Sequence, residues 1–154
     1  MGPPDYEEYI IPENGSVVFT VEPVISSGGN SDPDFVYYEQ WLGNNGTGVA
    51  GIQMDCIIVE LSADNVNWTT VLYWCDGDFD GNGDPDDDVP DSNTNLGGFT
   101  PETNNAPIPA ASLYNGSGIT IDIDSLGLSG NFPYIRFTEP GWGTADIDAI
   151  GPWP

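Results

Sequence analysis

Cys56-Ile-Ile-Val-Glu-Leu-Ser62, then the polar run Ala63-Asp-Asn-Val-Asn67, then Trp68-Thr-Thr-Val-Leu-Tyr-Trp-Cys75 decide how this chain is read. Two runs rich in β-branched and aromatic residues flank a short turn-forming segment, which is the pattern of a β-hairpin. We expect its strands over Ile52 to Ser62 and Asn67 to Cys75. The antiparallel register that opposes Cys56 to Cys75 also opposes Ile57 to Trp74, Val59 to Leu72 and Leu61 to Thr70, a mostly apolar face. Ile58/Tyr73, Glu60/Val71 and Ser62/Thr69 share the other face with the cysteines. One register therefore satisfies both burial and disulfide geometry. Two buried free thiols are the alternative, and a redox pair would ordinarily read CxxC, which the chain lacks. A Cys56–Cys75 bond would add roughly 3 kcal/mol by the chain-entropy argument and implies an oxidising compartment.

Working outward, short alternating runs continue on both sides. Val17, Phe19 and Val21 share one face of Ser16 to Glu22, and Asp34 to Glu39 follows a Gly/Ser/Asn/Asp turn region. Ile119 to Asp124, Tyr134 to Thr138 and Ala145 to Ile150 close the chain. No segment sustains a 3.6-residue period and no internal repeat is present. The 20 glycines and 14 prolines suit a turn-dense fold. We expect an all-β protein, a single antiparallel β-sandwich of jelly-roll type. An extended N-terminal arm would occupy residues 1–14 and the sandwich 15–154. Residues 76–118 read mainly as loop, unusually long for a compact domain unless something orders it.

Twenty-five acidic residues face a single basic one, Arg136, giving a net charge of −24 over 154 residues. That field repels phosphate backbones and anionic lipid, so nucleic acid and direct membrane binding are not expected, and it draws divalent cations. High-salt adaptation or simple solubility would also produce an acidic coat. Clustering points elsewhere, because eight of the acids lie between Asp76 and Asp91. No apolar run reaches the roughly 18 residues that cross a bilayer, and Met1-Gly-Pro-Pro lacks the regions of a signal peptide, so a mature or trimmed form is expected.

Directly after Cys75 the chain reads Asp76-Gly-Asp78-Phe-Asp80-Gly-Asn82-Gly-Asp84-Pro-Asp86-Asp87-Asp88. Alternate carboxylates around a hard cation, a glycine for the sharp turn and a following carbonyl make a DxDxDG calcium loop. Asp76, Asp78, Asp80, Asn82, Asp84 and Asp87 fill the ligand positions, with Asp86 or Asp88 as substitutes for Asp87 at the closing position. A strand precedes the loop and Pro-rich coil follows, so the helices of an EF-hand are not expected. Asp146-Ile-Asp148, complemented by Asp34 or Glu39, is a second candidate calcium site. Outward-facing acids on an edge strand read equally well there.

Asp32-Pro-Asp-Phe-Val-Tyr-Tyr-Glu39 and Ile57-Ile-Val-Glu-Leu-Ser-Ala-Asp-Asn-Val-Asn-Trp68 resemble the "PDFVVFEN" and "AFVEVSSDGVNF" motifs of bacterial cell-surface proteins. Pro133-Tyr-Ile-Arg-Phe137 and Asp146-Ile-Asp-Ala-Ile150 are similar to their terminal strands. The resemblance spans roughly residues 15–150 and implies a secreted or surface-exposed β-sandwich. It carries over no catalytic residue, and the acidic loop departs from it.

The inventory does not favour an enzyme. The chain has no His and no Lys, hence no Ser-His or Cys-His pair and no Schiff-base amine. The expected role is extracellular: a calcium-stabilised structural or adhesive surface protein, self-associating or bound to other surface proteins, as in a fibre or surface layer. Residues Tyr6 to Pro12 would add to a neighbour's sheet edge. Carbohydrate binding is the alternative, with Trp41, Trp68, Trp74, Trp142 and Trp153 as stacking platforms for glycans, although core positions account for some of them more simply. Sequons at Asn14, Asn45, Asn67 and Asn115 allow glycosylation, and three of them are Asn-Gly turns with their own backbone rationale.

Overall fold

The computed structural model describes residues 9–39, 50–75, 93–96 and 106–154. Its strands, in chain order, are β1 (Tyr9–Ile11), β2 (Ser16–Ser26), β3 (Phe35–Tyr38), β4 (Gly51–Met54), β5 (Ile57–Ser62), β6 (Thr69–Trp74), β7 (Ala106–Pro109), β8 (Gly118–Ile121), β9 (Asn131–Thr138), β10 (Ala145–Ile147) and β11 (Ala149–Pro152). Every pairing is antiparallel. A four-stranded sheet runs β2-β9-β5-β6 and a three-stranded sheet β11-β3-β8, with two-stranded ribbons β4-β7 and β1-β10.

Period-two patterning builds the core between them. Val59, Leu61, Leu72, Trp74, Ile135 and Phe137 from the four-stranded sheet join Phe35, Tyr37, Ile119, Ile121 and Ile150 from the three-stranded sheet in one buried cluster. This is a β-sandwich. The expected β2 face holds as well, with Val21 buried and Val17 and Phe19 packed against the cluster.

The hairpin carries the Cys56–Cys75 disulfide, with Cα atoms 4.9 Å apart. Ile57, Ile58 and Val59 face Trp74, Tyr73 and Leu72 as expected. Beyond Val59 the register shifts, so that Glu60 faces Thr70 and Leu61 faces Thr69. Val71 is the extra residue, a β-bulge that turns its side chain into the core, where it is fully buried. The Asn93 side-chain amide donates to the Val71 carbonyl at 2.6 Å. A second, smaller cluster of Cys56, Tyr73 and Cys75 with Ile58 covers the outer face of this hairpin.

Two expected strands divide. Ile52 to Ser62 breaks at Asp55-Cys56, and β4 leaves to pair with β7, a strand inside the stretch expected as loop. Ala145 to Ile150 breaks at Asp148, β10 pairing β1 and β11 pairing β3. The arm residues Tyr9–Ile11 pair with β10 of their own chain, so this part of the arm is used internally.

Candidate metal centre

The strand expected over Ile119 to Asp124 ends at Ile121, and the chain passes through Asp122 and Ile123 into a short 3-10 segment, Asp124–Leu126. That turn brings Asp122 and Asp124 to Asp34, the residue that leads into β3. Oxygen atoms of the three carboxylates all lie within 4.8 Å of one another, and each residue is partly buried.

Backbone amides hold all three. Asp34 accepts from Gly28 N at 2.8 Å through Oδ1 and from Ile123 N at 2.9 Å through Oδ2. Asp124 Oδ2 accepts from Gly29 N at 2.6 Å and Asn30 N at 3.1 Å. Asp122 Oδ1 accepts from Ser125 N at 3.1 Å. The turn 27–33 is thereby strapped to the end of β8, and Gly29 takes φ 70°, a left-handed conformation that glycine adopts without strain. Burial pushes the Asp34 carboxyl up; the two amide bonds pull the other way, and Asp124 and Asp122 add to the rise. No basic side chain answers this charge. Arg136 is the chain's sole basic residue, and it is bound to Glu60 by a two-point ion pair at 2.5 Å and 2.8 Å while covering the Trp68 ring. Three convergent carboxylates suit a hard divalent cation with oxygen ligands.

Of the expected ligands, Asp34 belongs to this group, but with Asp122 and Asp124 as companions. Glu39 and Asp148 lie at the other end of β3: Asp148 N donates to Tyr38 O at 3.0 Å, and Glu39 accepts from the Tyr37 hydroxyl. Asp34 therefore does not complement Asp148. Asp76, Asp78, Asp80, Asn82, Asp84, Asp86, Asp87 and Asp88 lie outside the described residues. Asp122-Ile-Asp124 repeats the spacing of Asp146-Ile-Asp148, a signal present in the sequence, but only the turn after Ile121 brings both acids to Asp34.

The Glu39 end is also acidic. Asp55, nearly fully buried at the β4–β5 break, accepts from Asp146 N at 3.1 Å. Its carboxyl is pushed up to about 7, first by burial, then by the Asp146 and Glu139 charges, against that one amide bond. Glu139 organises a turn instead, accepting from Asn14 N at 2.7 Å, Gly141 N at 2.8 Å and Trp142 N at 2.5 Å.

Of the sequons, Asn14 and Asn115 are exposed in left-handed turns at φ 57° and 50°. Asn67 is exposed, but its amide donates to Asp64 at 2.7 Å, and Asn45 lies outside the described residues. In comparisons with known proteins, the chain matches no family model, no curated protein and no solved structure.

Proposed function

We propose that this chain is an extracellular β-sandwich module, stabilised by calcium, with a structural or adhesive role such as that of a subunit in a fibre or surface layer. The convergence of Asp34, Asp122 and Asp124 carries the calcium part of the reading, since no side chain of the protein is free to neutralise them. The DxDxDG run Asp76–Asp88 supports a further ion. The Cys56–Cys75 bond supports an oxidising compartment, and the motif resemblance to cell-surface proteins supports the surface role.

The test is calorimetry on the full chain, in chelator and in excess calcium. A site that binds only the folded state adds about 2.7 kcal/mol at a hundredfold excess over Kd, so the melting temperature rises by several degrees. Asp124→Asn removes one part of the rise and Asp78→Asn with Asp80→Asn the other. An unchanged melting temperature in chelator would end the calcium reading. A chain that stays monomeric in calcium at high concentration and adheres to no surface preparation would end the structural one.

A further inference from the structure

Tyr38, Tyr114 and Trp153 come from three separate stretches of the chain, and all three are half-buried. Phe35 and Tyr37 of β3 belong to the core, so Val36 and Tyr38 face outward. Opposite these two stand Thr120 and Gly118 on β8 and Gly151 and Ala149 on β11. Tyr114 joins the same face beyond β8. It forms an antiparallel bridge with Gly118, its N–H donating to the Gly118 carbonyl at 2.8 Å and the Gly118 N–H to its own carbonyl at 2.7 Å. Side chains opposed in this way stand on one side of the sheet. Trp153, just past β11, donates its backbone N–H to the Asp34 carbonyl at 3.3 Å, and its ring lies 4.8 Å from that of Tyr114 at a tilt of 50°.

The neighbouring positions leave room for these rings and supply polar groups beside them. A Cβ on Gly118 would come within 2.9 Å of Tyr38 Cε1, so a larger residue there would displace the phenol. The Asn115 side chain, in the turn between Tyr114 and Gly118, is hydrogen-bonded to the Tyr38 hydroxyl. Burial and the Tyr114 phenol push that hydroxyl up from its ordinary 10, against the pull of Asn115, so it keeps its proton and both donates and accepts.

Charge selects the ligand. Val36, Gly118, Thr120, Ala149 and Gly151, which share the face with Tyr38, are all uncharged, on a chain whose net charge is −24. Such a field repels anions and draws cations to the carboxylates elsewhere, which leaves a neutral ligand for this face. Aromatic faces match C–H groups, while a phenol and an amide match hydroxyls. A sugar offers both. Rings tilted by 50° do not both lie flat against a straight ribbon of sugars, whereas a twisted chain turns from one ring to the next.

We infer that the outer face of β11-β3-β8 is a glycan-binding platform, on which a neutral oligosaccharide of twisted backbone lies across Trp153 and Tyr114 with hydroxyls on Tyr38 and Asn115. The inference rests on the adhesive reading for its purpose, and the binding itself needs no metal.

NMR titration of the unglycosylated full chain with maltohexaose, a twisted chain, and cellohexaose, a straight one, tests it in chelator and in calcium, well below the melting temperature. Maltohexaose binds, cellohexaose binds about tenfold more weakly or worse, and chelator changes neither. Trp153→Ala and Tyr114→Ala each weaken maltohexaose binding by about tenfold or more, while Trp153→Phe and Tyr114→Phe keep most of it; the melting temperature of each variant reports that it folds. If neither sugar binds, the inference is overturned, and the calcium reading, whose readout is the melting temperature, stands apart from that result. Binding that survives both alanine variants, or that is lost in chelator, overturns the platform as well. Cellohexaose bound as tightly as maltohexaose overturns the twisted-chain geometry.

Discussion

Asp55 is a carboxyl whose burial has a measurable cost. With its carboxyl raised to about 7 from an ordinary 3.8, the folded protein keeps a proton that the unfolded chain has released across that window. Folded protein thus binds more protons than unfolded, and the contribution of Asp55 to stability falls as pH rises from about 4 to about 7, by at most about 1.4 kcal/mol per pH unit. Asp55→Asn keeps an acceptor for the Asp146 amide and removes the charge. We expect chemical denaturation in chelator to show a flatter pH profile for Asp55→Asn, with the variant the more stable of the two near neutrality. Parallel profiles would show that Asp55 ionises without penalty.

At the scale of elements, the β5–β6 hairpin shows what a local pattern can and cannot reveal. Three residue pairs and the disulfide were legible because alternation and the cysteines agree within one short stretch. The bulge was not, because its partner, Asn93, lies 22 residues away from Val71 in sequence. Asn93→Ala leaves a buried carbonyl at Val71 without its donor, a loss of about 1–3 kcal/mol in a urea melt. A cost under about 0.5 kcal/mol would mean that the bulge needs no lock. At Asp55 and Asp148 the core-facing positions change parity, from Ile52 and Met54 to Ile57 and Val59 and from Ala145 and Ile147 to Ile150, a shift of phase that strands as short as β4, β10 and β11 are too brief to reveal by themselves. Of the carboxylate cluster the sequence marks only Asp34, and that as a companion of Asp148; Asp122 and Asp124 needed the three-dimensional position of the turn after β8 to become its neighbours.

For the whole molecule the dominant quantity is a net charge of −24. Compaction brings those charges together, so the folded state repels itself unless ions intervene. Raising sodium chloride from about 0.01 M to about 1 M shortens the Debye length from ~30 Å to ~3 Å. In chelator this should raise the melting temperature, while calcium should achieve the same or more at a far lower ionic strength. A melting temperature that falls with salt would contradict the self-repulsion argument.

The order of pairing has a consequence for how the chain is made. β5 and β6 are neighbours in sequence and can close as soon as both exist. β1 waits for β10, β2 for β9, and β3 for β8 and β11. Among the described residues, β1, β2 and β3 therefore pair only with strands that are made from Gly118 onward. Pairing across such separations is slow, and unpaired strand edges invite association with other chains. The hairpin with its disulfide is the part of the sandwich that can be finished early, a seed on which the waiting strands later close.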